Sequence, residues 1–284
     1  MSLFADRLAE AVRRHGPLCV GIDPRFDMLP VAYRKFAPAV AVEAFSLKVL
    51  ELVRPFSGVV KPQAAFFELL GPDGMAAMQA VLTRARELGF VTILDAKRGD
   101  IASTATAYAE AAFGESVWNA DALTVNPYLG QDAVEPFIST ARRSTPTRGL
   151  FVLVRTSNPG GGLFQNALAD GVPLYRRVAT EVNAWNEGGL GDCGLGDVGA
   201  VVGATHPKEL AELRAAMPDV WFLIPGYGAQ GGTADDVRAG LLSNGLGAVV
   251  NSSRGVVFPF QPDDGDWETK IIEAAKKAQA ELRG

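Results

Sequence analysis

Charged side chains interrupt an apolar run in the segment 91–105, VTILDAKRGDIASTA, and Asp95, Lys97 and Asp100 among them are candidates for chemistry. If the run is an extended strand, its side chains alternate between two faces, so Asp95 and Lys97 lie on the same face. Charges at the end of a buried strand are costly unless they are paired or used in a reaction. The segment therefore predicts either a structural salt bridge or a catalytic cluster of carboxylates and an ammonium group.

Short apolar runs rich in β-branched residues recur along the chain, and a turn and a helical pattern follow each of them. The eight predicted strands are 18–23, 58–61, 90–97, 122–126, 149–156, 198–204, 220–226 and 247–253. The predicted helices are 38–53, 73–88, 103–113, 131–143, 173–187, 207–217, 233–243 and 266–282. This alternation is typical of an α/β protein with a (β/α)8 TIM barrel. An open doubly wound sheet is the alternative, but no GxGxxG motif follows the first strand.

The whole chain, 1–284, is predicted to form a single barrel domain, because no low-complexity linker divides it. A further amphipathic helix precedes the first strand, and the helix 266–282 ends the domain. Gly99 is expected to end the third strand, and Ser103 is the expected N-cap of the next helix. The Gly-rich segment 186–199 is interpreted as a loop that enters the sixth strand on the face opposite the site, with a functional lid as the alternative.

Composition and charge exclude several classes of function. The 284 residues are 48% hydrophobic and carry a net charge of -5, which argues against a nucleic-acid partner and against binding to an anionic membrane. No run of about 18 uncharged apolar residues is present, and the N-terminal pattern does not resemble a signal peptide. Cys19 and Cys193 are too few for a disulfide framework, so we expect a cytoplasmic protein. With only His15 and His206 besides, we expect no metal site.

Charged or polar side chains lie at the ends of most predicted strands, whereas the strand bodies are apolar. They are Asp23, Lys61, the cluster Asp95, Lys97 and Asp100, then Asn126, then Thr156, Ser157 and Asn158, and finally Arg254. The carboxyl ends of barrel strands meet at one face, where barrel enzymes bind and convert their substrates. The pattern therefore favours a catalytic site over a purely structural role for each residue.

Two loops at the end of the chain predict a phosphate site. The loop PGYGAQGG at 225–232 can expose backbone N–H groups to an anion. Arg254 begins the turn after the last strand, where a guanidinium can bind phosphate with two hydrogen bonds. The loops after strands seven and eight form the recurrent phosphate site of barrel enzymes.

Taken in chain order, these motifs resemble the orotidine 5′-monophosphate decarboxylase family. The motifs are GIDP at 21–24, Lys61, the DxKxxDI run at 95–101, RTSNPGG at 155–161, PGYGAQGG at 225–232 and the turn at Arg254. The DxKxxD run alone is shared with sister sugar-phosphate enzymes, whereas its combination with the two Gly-containing loops is far more specific. The resemblance covers 23–258, and VGIDPR, LDAKRGDI and TVNPYLGQD resemble the longer bacterial branch of the family.

The resemblance implies decarboxylation of orotidine 5′-monophosphate to uridine 5′-monophosphate, the last step of de novo UMP synthesis, without a metal or a cofactor. Lys97 would protonate C6 of the pyrimidine, and Asp95 would face the departing carboxylate. Lys61 and Asp100 would complete an alternating array of lysines and aspartates. The residues implied to bind substrate are Asp23 at the ribose, Asn126, Ser157 at the pyrimidine, and Gly228, Gln230 and Arg254 at the phosphate.

The resemblance also implies a homodimer, in which Asp100, Ile101 and Thr104 of one chain enter the site of the other. Tyr227 receives no role, because it differs from what shorter relatives carry there.

Two other functions stay open. A sister enzyme would act on hexulose or ketogulonate phosphates with Mg²⁺, but Ser157 and Gln230 favour a nucleotide. A non-catalytic sensor of phosphoribosyl ligands would have no need of a lysine held between carboxylates.

Overall fold

The structure is a computed structural model that describes residues 3–114, 116, 118–228 and 231–283. Within these ranges, eight parallel strands close into a barrel, and two short strands form a separate antiparallel hairpin. The strands are β1 (Leu18–Ile22), β2 (Val59–Pro62), β3 (Val91–Arg98), β4 (Ala122–Val125), β5 (Gly149–Arg155), β6 (Leu168–Ala169), β7 (Val172–Pro173), β8 (Val198–Val202), β9 (Phe222–Ile224) and β10 (Ala248–Ser252). Around the barrel the order is β1, β10, β9, β8, β5, β4, β3, β2, so the predicted (β/α)8 barrel is confirmed.

Helices connect the barrel strands and cover their outer face. In the described ranges they are α1 (Phe4–His15), α2 (Pro38–Val53), α3 (Ala64–Glu68), α4 (Gly71–Glu87), α5 (Ala102–Phe113), α6 (Gln131–Arg143), α7 (Gly162–Gln165), α8 (Leu174–Trp185), α9 (Pro207–Ala216), α10 (Ala234–Arg238), α11 (Arg254–Val257) and α12 (Trp267–Arg283). The prediction of one helix over 233–243 is wrong in length, since α10 gives way to a turn at Ala239 and Gly240. Glycine is a poor helix former, and here it also packs against Ile224 and Leu210. Within the described ranges, we find no helix with the length and apolar character that a membrane crossing requires.

The side chains of β3 alternate as predicted. Val91 and Ile93 belong to the core inside the barrel, whereas Leu94 belongs to the core between the barrel and its helices. Asp95 continues the inward-facing series, so its carboxylate comes at the end of the barrel interior that the strand ends surround. The period of two in this strand therefore places a charge inside the barrel mouth.

Helix α1 closes the opposite end of the barrel. Its apolar residues, among them Phe4 and Leu8, join the core inside the barrel and are almost completely buried. Phe4 packs edge-on against Phe151 of β5, with ring centroids 6.4 Å apart. A Cβ on Gly149 would lie only 2.1 Å from the Phe4 ring, so this position requires glycine. Burial of each such side chain stabilises the fold by about 1.5–3 kcal/mol.

The Gly-rich segment 186–199 lies at this closed end. The backbone N–H of Cys193 donates to Asp6 of α1 at 2.8 Å, and Leu195 packs in the core inside the barrel. The segment then leads into β8, the sixth strand of the barrel in chain order. Its interpretation as a loop on the face opposite the site is confirmed.

Candidate active site

A pocket of about 540 Å³ opens at the carboxyl ends of the barrel strands. Polar side chains line most of it, and Leu153, Val201 and Leu223 add an apolar strip formed by β5, β8 and β9. The predicted site residues that line it are Asp23, Lys61, Asp95, Lys97, Thr156, Ser157, Asn158 and Arg254. The structure therefore brings eight of the predicted residues together in one place.

Asp95 is the centre of the charged cluster. One carboxylate oxygen, Oδ2, lies 2.7 Å from Nζ of Lys61, and the other, Oδ1, lies 2.6 Å from Nζ of Lys97. β2 supplies Lys61 from the neighbouring strand, and Lys97 follows Asp95 by two residues on β3. Each carboxylate oxygen therefore accepts a hydrogen bond from a different ammonium group.

Two further residues bind the same carboxylate, and sequence reasoning missed both. Gln63 Nε2 donates to Oδ2 of Asp95 at 3.0 Å, and Thr124 Oγ1 donates to Oδ1 at 2.9 Å. Gln63 follows β2 and forms a single parallel bridge with Asp95. Thr124 has the same inward parity on β4 that Asp95 has on β3, which is the signal that could have identified it.

The cluster is buried on one side and open on the other. The side chains of Lys61 and Asp95 are 5% and 8% exposed, whereas that of Lys97 is 46% exposed. Burial alone would raise the pKa of Asp95, but the charges and hydrogen bonds of the two lysines outweigh it and hold that pKa well below its usual range. Burial would likewise lower the pKa of Lys61, yet Asp95 and Asp23 raise it above the usual lysine value. Both groups are therefore charged at neutral pH.

The backbone leaves the extended conformation at Lys97, where φ is 47°. The pairing of β3 with β4 shifts register between Leu94 and Arg98, as in a β-bulge. A lysine in the left-handed region is uncommon, and such residues cluster at functional sites. Sequence parity placed Lys97 on the correct side of the strand but did not predict the bulge.

Two buried oxygens in the pocket wall have no hydrogen-bond partner within the described part of the chain. They are Oδ1 of Asp23, directly after β1, and Oδ1 of Asn251, in β10. Buried polar atoms are almost always hydrogen-bonded in folded proteins, so each of these acceptors is available to a ligand hydroxyl or amide. Within the part of the chain that the structure describes, no group of three or more His, Cys, Asp or Glu side chains is arranged to hold a metal ion.

Asp100, Ile101, Thr104 and Asn126 do not line the pocket of their own chain. Asp100 accepts a hydrogen bond from the N–H of Ile101 at 2.8 Å, and both Ile101 and Thr104 are exposed. Asn126 turns its Oδ1 to the N–H of Tyr128 at 3.0 Å, which holds the loop after β4.

The predicted phosphate contact at Gly228 is also outside the pocket lining. Its N–H donates to the carbonyl of Gly232 at 2.8 Å, so this loop bond satisfies the group that an anion would need. Gln230 lies outside the described residues. The prediction of Ser103 as an N-cap is wrong: α5 begins at Ala102, and Ile101 precedes it without a side-chain cap.

A closed parallel barrel with a lysine–aspartate–lysine cluster at the carboxyl ends of its strands defines a TIM-barrel enzyme. A family model described as "Orotidine 5'-phosphate decarboxylase / HUMPS family" matches residues 16–258. The chain belongs to this family.

Individual relatives agree with this assignment. The orotidine 5′-phosphate decarboxylase of Rhodopirellula baltica is 46% identical in an alignment of 304 positions that covers 100% of both chains. The structure of Leishmania donovani OMP decarboxylase is 35% identical with a TM-score of 0.78, covering 98% of this chain and 99% of that one. The structure of Leishmania donovani UMP synthase is 38% identical with a TM-score of 0.82, but this chain spans only 56% of its length.

Proposed function

We propose that this chain, acting as one barrel domain over residues 1–284, decarboxylates orotidine 5′-monophosphate to uridine 5′-monophosphate. The observation that carries the proposal is the buried carboxylate of Asp95 held between the ammonium groups of Lys61 and Lys97, at 2.7 and 2.6 Å. Family membership supports the same reaction, because the Rhodopirellula baltica relative carries that name and matches over its full length.

The chemistry requires stabilisation of an unusual carbanion. When the bond between C6 and the carboxylate breaks, CO₂ leaves and the electron pair stays on C6 in the plane of the ring. The π-system cannot delocalise an in-plane pair, so nearby positive charge has to lower the barrier. We assign this role to Lys97, whose ammonium also donates the proton that C6 gains.

The division of labour between the two lysines follows from their burial. Lys97 is 46% exposed, so after losing its proton to C6 it can regain one from solvent. Lys61 is 5% exposed and faces Asp95, and we assign it the role of a fixed counter-charge. Asp95 would disfavour the substrate carboxylate beside it, while its hydrogen bond with Lys97 holds the ammonium in place until the proton is transferred.

We propose a reaction that uses neither a metal nor an organic cofactor. The support is the occupancy of Asp95: its two oxygens already accept hydrogen bonds from Lys61, Lys97, Gln63 and Thr124. A carboxylate saturated in this way has no lone pair left for Mg²⁺, which a sister sugar-phosphate enzyme would bind through an acid. The ammonium groups supply the positive charge instead.

We assign the substrate contacts from the pocket lining and from the resemblance. Asp23, with a buried and unpartnered Oδ1, would bind the ribose hydroxyls, and Ser157 would contact the pyrimidine. Arg254 lies at the pocket wall where the chain leaves β10, and we assign it to the phosphate. The assignment of Gln230 to the phosphate rests on the sequence resemblance alone.

We further propose a homodimer with shared sites. Asp100, Ile101 and Thr104 lie outside the pocket of their own chain, and Ile101 is 55% exposed. Tyr128 and Leu129, in the loop after the neighbouring strand β4, are 79% and 50% exposed. A two-fold partner would cover this apolar surface and receive Asp100 into its own lysine–aspartate–lysine cluster. The fourth charge would bring that cluster close to neutrality.

The ultraviolet absorbance of orotidine 5′-monophosphate tests the reaction. We expect rapid loss of the orotate chromophore, with or without a chelator. Lys97→Ala should abolish this loss while leaving the circular dichroism and the melting temperature close to those of the wild-type protein. Lys276→Ala, which removes an exposed lysine of α12, is the matched control and should keep full activity. An active Lys97→Ala variant would contradict the proposed mechanism.

A mixing experiment tests the shared site. Lys97→Ala and Asp100→Ala homodimers should each be nearly inactive. In a mixed dimer, one site combines an intact Lys97 with an intact Asp100 from the other chain, so co-refolding should restore activity. If mixed dimers form and remain inactive, then Asp100 does not act across the interface.

A further inference from the structure

The hydroxyl of Thr124 makes all of its hydrogen bonds within the charged cluster. It donates to Oδ1 of Asp95 at 2.9 Å and accepts the backbone N–H groups of Ala96 at 3.0 Å and Lys97 at 2.9 Å. A hydroxyl has one donor and two acceptor positions, so all of its hydrogen-bonding capacity is directed at three consecutive residues of β3. Thr124 itself is 1% exposed, so these bonds form in a buried environment.

These hydrogen bonds fall where the backbone of β3 departs from the ladder. The register between β3 and β4 shifts between Leu94 and Arg98, and Lys97 has a φ of 47°. In a regular parallel pair, carbonyl groups of β4 would accept only every second N–H group of this stretch, because successive N–H groups point to opposite sides of the strand. Here the side chain of a β4 residue accepts two of them, so the Thr124 hydroxyl replaces the missing part of the ladder.

We infer that Thr124 is a positioning residue for the reaction, an inference that rests on the proposed function. One oxygen atom holds both the carboxylate of Asp95 and the backbone from which Lys97 projects. It thereby fixes the distance between that carboxylate and the ammonium of Lys97, which is 2.6 Å. Since Lys97 is half exposed, packing alone does not restrain its side chain, and the anchored backbone has to do so.

A purely structural role makes a different prediction from a positioning role. If Thr124 only satisfied buried N–H groups, its loss would reduce stability and leave the rate of the folded enzyme unchanged. If it positions Lys97, its loss moves the proton donor relative to C6 and reduces kcat, whereas contacts with the ribose and phosphate persist. The affinity for the product uridine 5′-monophosphate, which has no carboxylate on C6, should then stay at the wild-type value.

The test compares Thr124→Val with Thr140→Val. Both exchange a buried hydroxyl for a methyl group, but Thr140 lies in α6, away from the pocket. For Thr124→Val we expect kcat to fall about a hundredfold, the loss typical of a displacement of about 1 Å, with little change in KM or in calorimetric affinity for uridine 5′-monophosphate. Thr140→Val should keep the wild-type kcat.

Two further variants keep the inference falsifiable if Thr124→Val does not fold. Thr124→Ser retains the hydroxyl and should retain most of kcat, whereas Thr124→Cys, with a weaker donor and acceptor, should be intermediate. A Thr124→Val or Thr124→Cys enzyme with the wild-type kcat would overturn the inference. A wild-type protein that does not consume orotidine 5′-monophosphate would instead overturn the proposed function.

Discussion

Replacement of Asp95 by asparagine should destabilise the fold strongly, besides abolishing turnover. Asp95→Asn keeps the size of the side chain but removes the charge between two ammonium groups. The important partner is Lys61, whose side chain is 5% exposed and 2.7 Å from the carboxylate. In the variant this ammonium stays in the barrel interior with its main counter-charge removed.

The size of the stability loss follows from the different environments of Lys61 and Lys97. Breaking a buried ion pair by removing one partner costs about 3–5 kcal/mol, because an uncompensated charge is left behind. The pair with Lys97 adds little, since that side chain is 46% exposed and exposed pairs contribute roughly 0–1 kcal/mol. We therefore expect the free energy of unfolding to fall by about 3–5 kcal/mol, a large part of the roughly 5–15 kcal/mol of a typical domain.

Urea unfolding at pH 7 measures this loss, with Asp170→Asn as the control. Asp170 is 91% exposed and pairs with Arg177 at the surface, so its replacement should change stability by less than about 0.5 kcal/mol. The double variant Asp95→Asn/Lys61→Met, which removes both buried charges, should recover much of the loss. If Asp95→Asn is as stable as Asp170→Asn, the pair is better solvated than its burial indicates, and the reasoning fails.

The stability difference between wild type and Asp95→Asn should also depend on pH. The pKa of Asp95 is lowered in the folded state, so its contribution to stability is fully present above the pKa of an unfolded aspartate, about 3.9, and is lost as pH falls through the folded pKa. The pKa of Lys61 is raised, so the ion pair persists up to at least about pH 10. Lys97→Arg should be nearly as inactive as Lys97→Ala in the absorbance assay, because a guanidinium is a poor proton donor. Arg254→Ala should raise KM for orotidine 5′-monophosphate in steady-state kinetics, and unchanged kinetics would mean that the phosphate lies elsewhere. Cys19 is buried and burial raises its pKa to about 12, so it should react with a thiol reagent only after denaturation.

The sequence pattern was sufficient to predict the barrel fold and the residues at the centre of the site. Alternation along β3 placed Asp95 and Lys97 on one face, and the recurrence of polar residues at strand ends placed Lys61 beside them. Both follow from a period of two and from the parallel order of strands, which depend little on detail. The lengths of the elements were less predictable, as the helix that ends at Arg238 shows.

The parts that could not be predicted depend on local backbone geometry. Lys97 leaves the extended region at a bulge, and no residue type near it signals one. The bulge makes Thr124 a partner of Lys97, because its hydroxyl accepts the N–H groups of Ala96 and Lys97 there. The orientation of Gly228 could not be predicted either, because its N–H forms a hydrogen bond within its own loop instead of facing the pocket.

The burial gradient across the cluster connects its stability with its chemistry. Asp95 needs a buried partner to remain ionised inside the barrel, and Lys61 provides that charge at an energetic cost that the fold offsets elsewhere. Lys97 needs contact with solvent, because a proton donor that gives up its proton in each turnover has to be recharged. A second buried lysine could not exchange protons readily, and a second exposed one would leave the carboxylate without Lys61, which makes the largest contribution that lowers the pKa of Asp95. The asymmetry between 5% and 46% exposure is therefore what a cluster with one fixed charge and one proton donor requires.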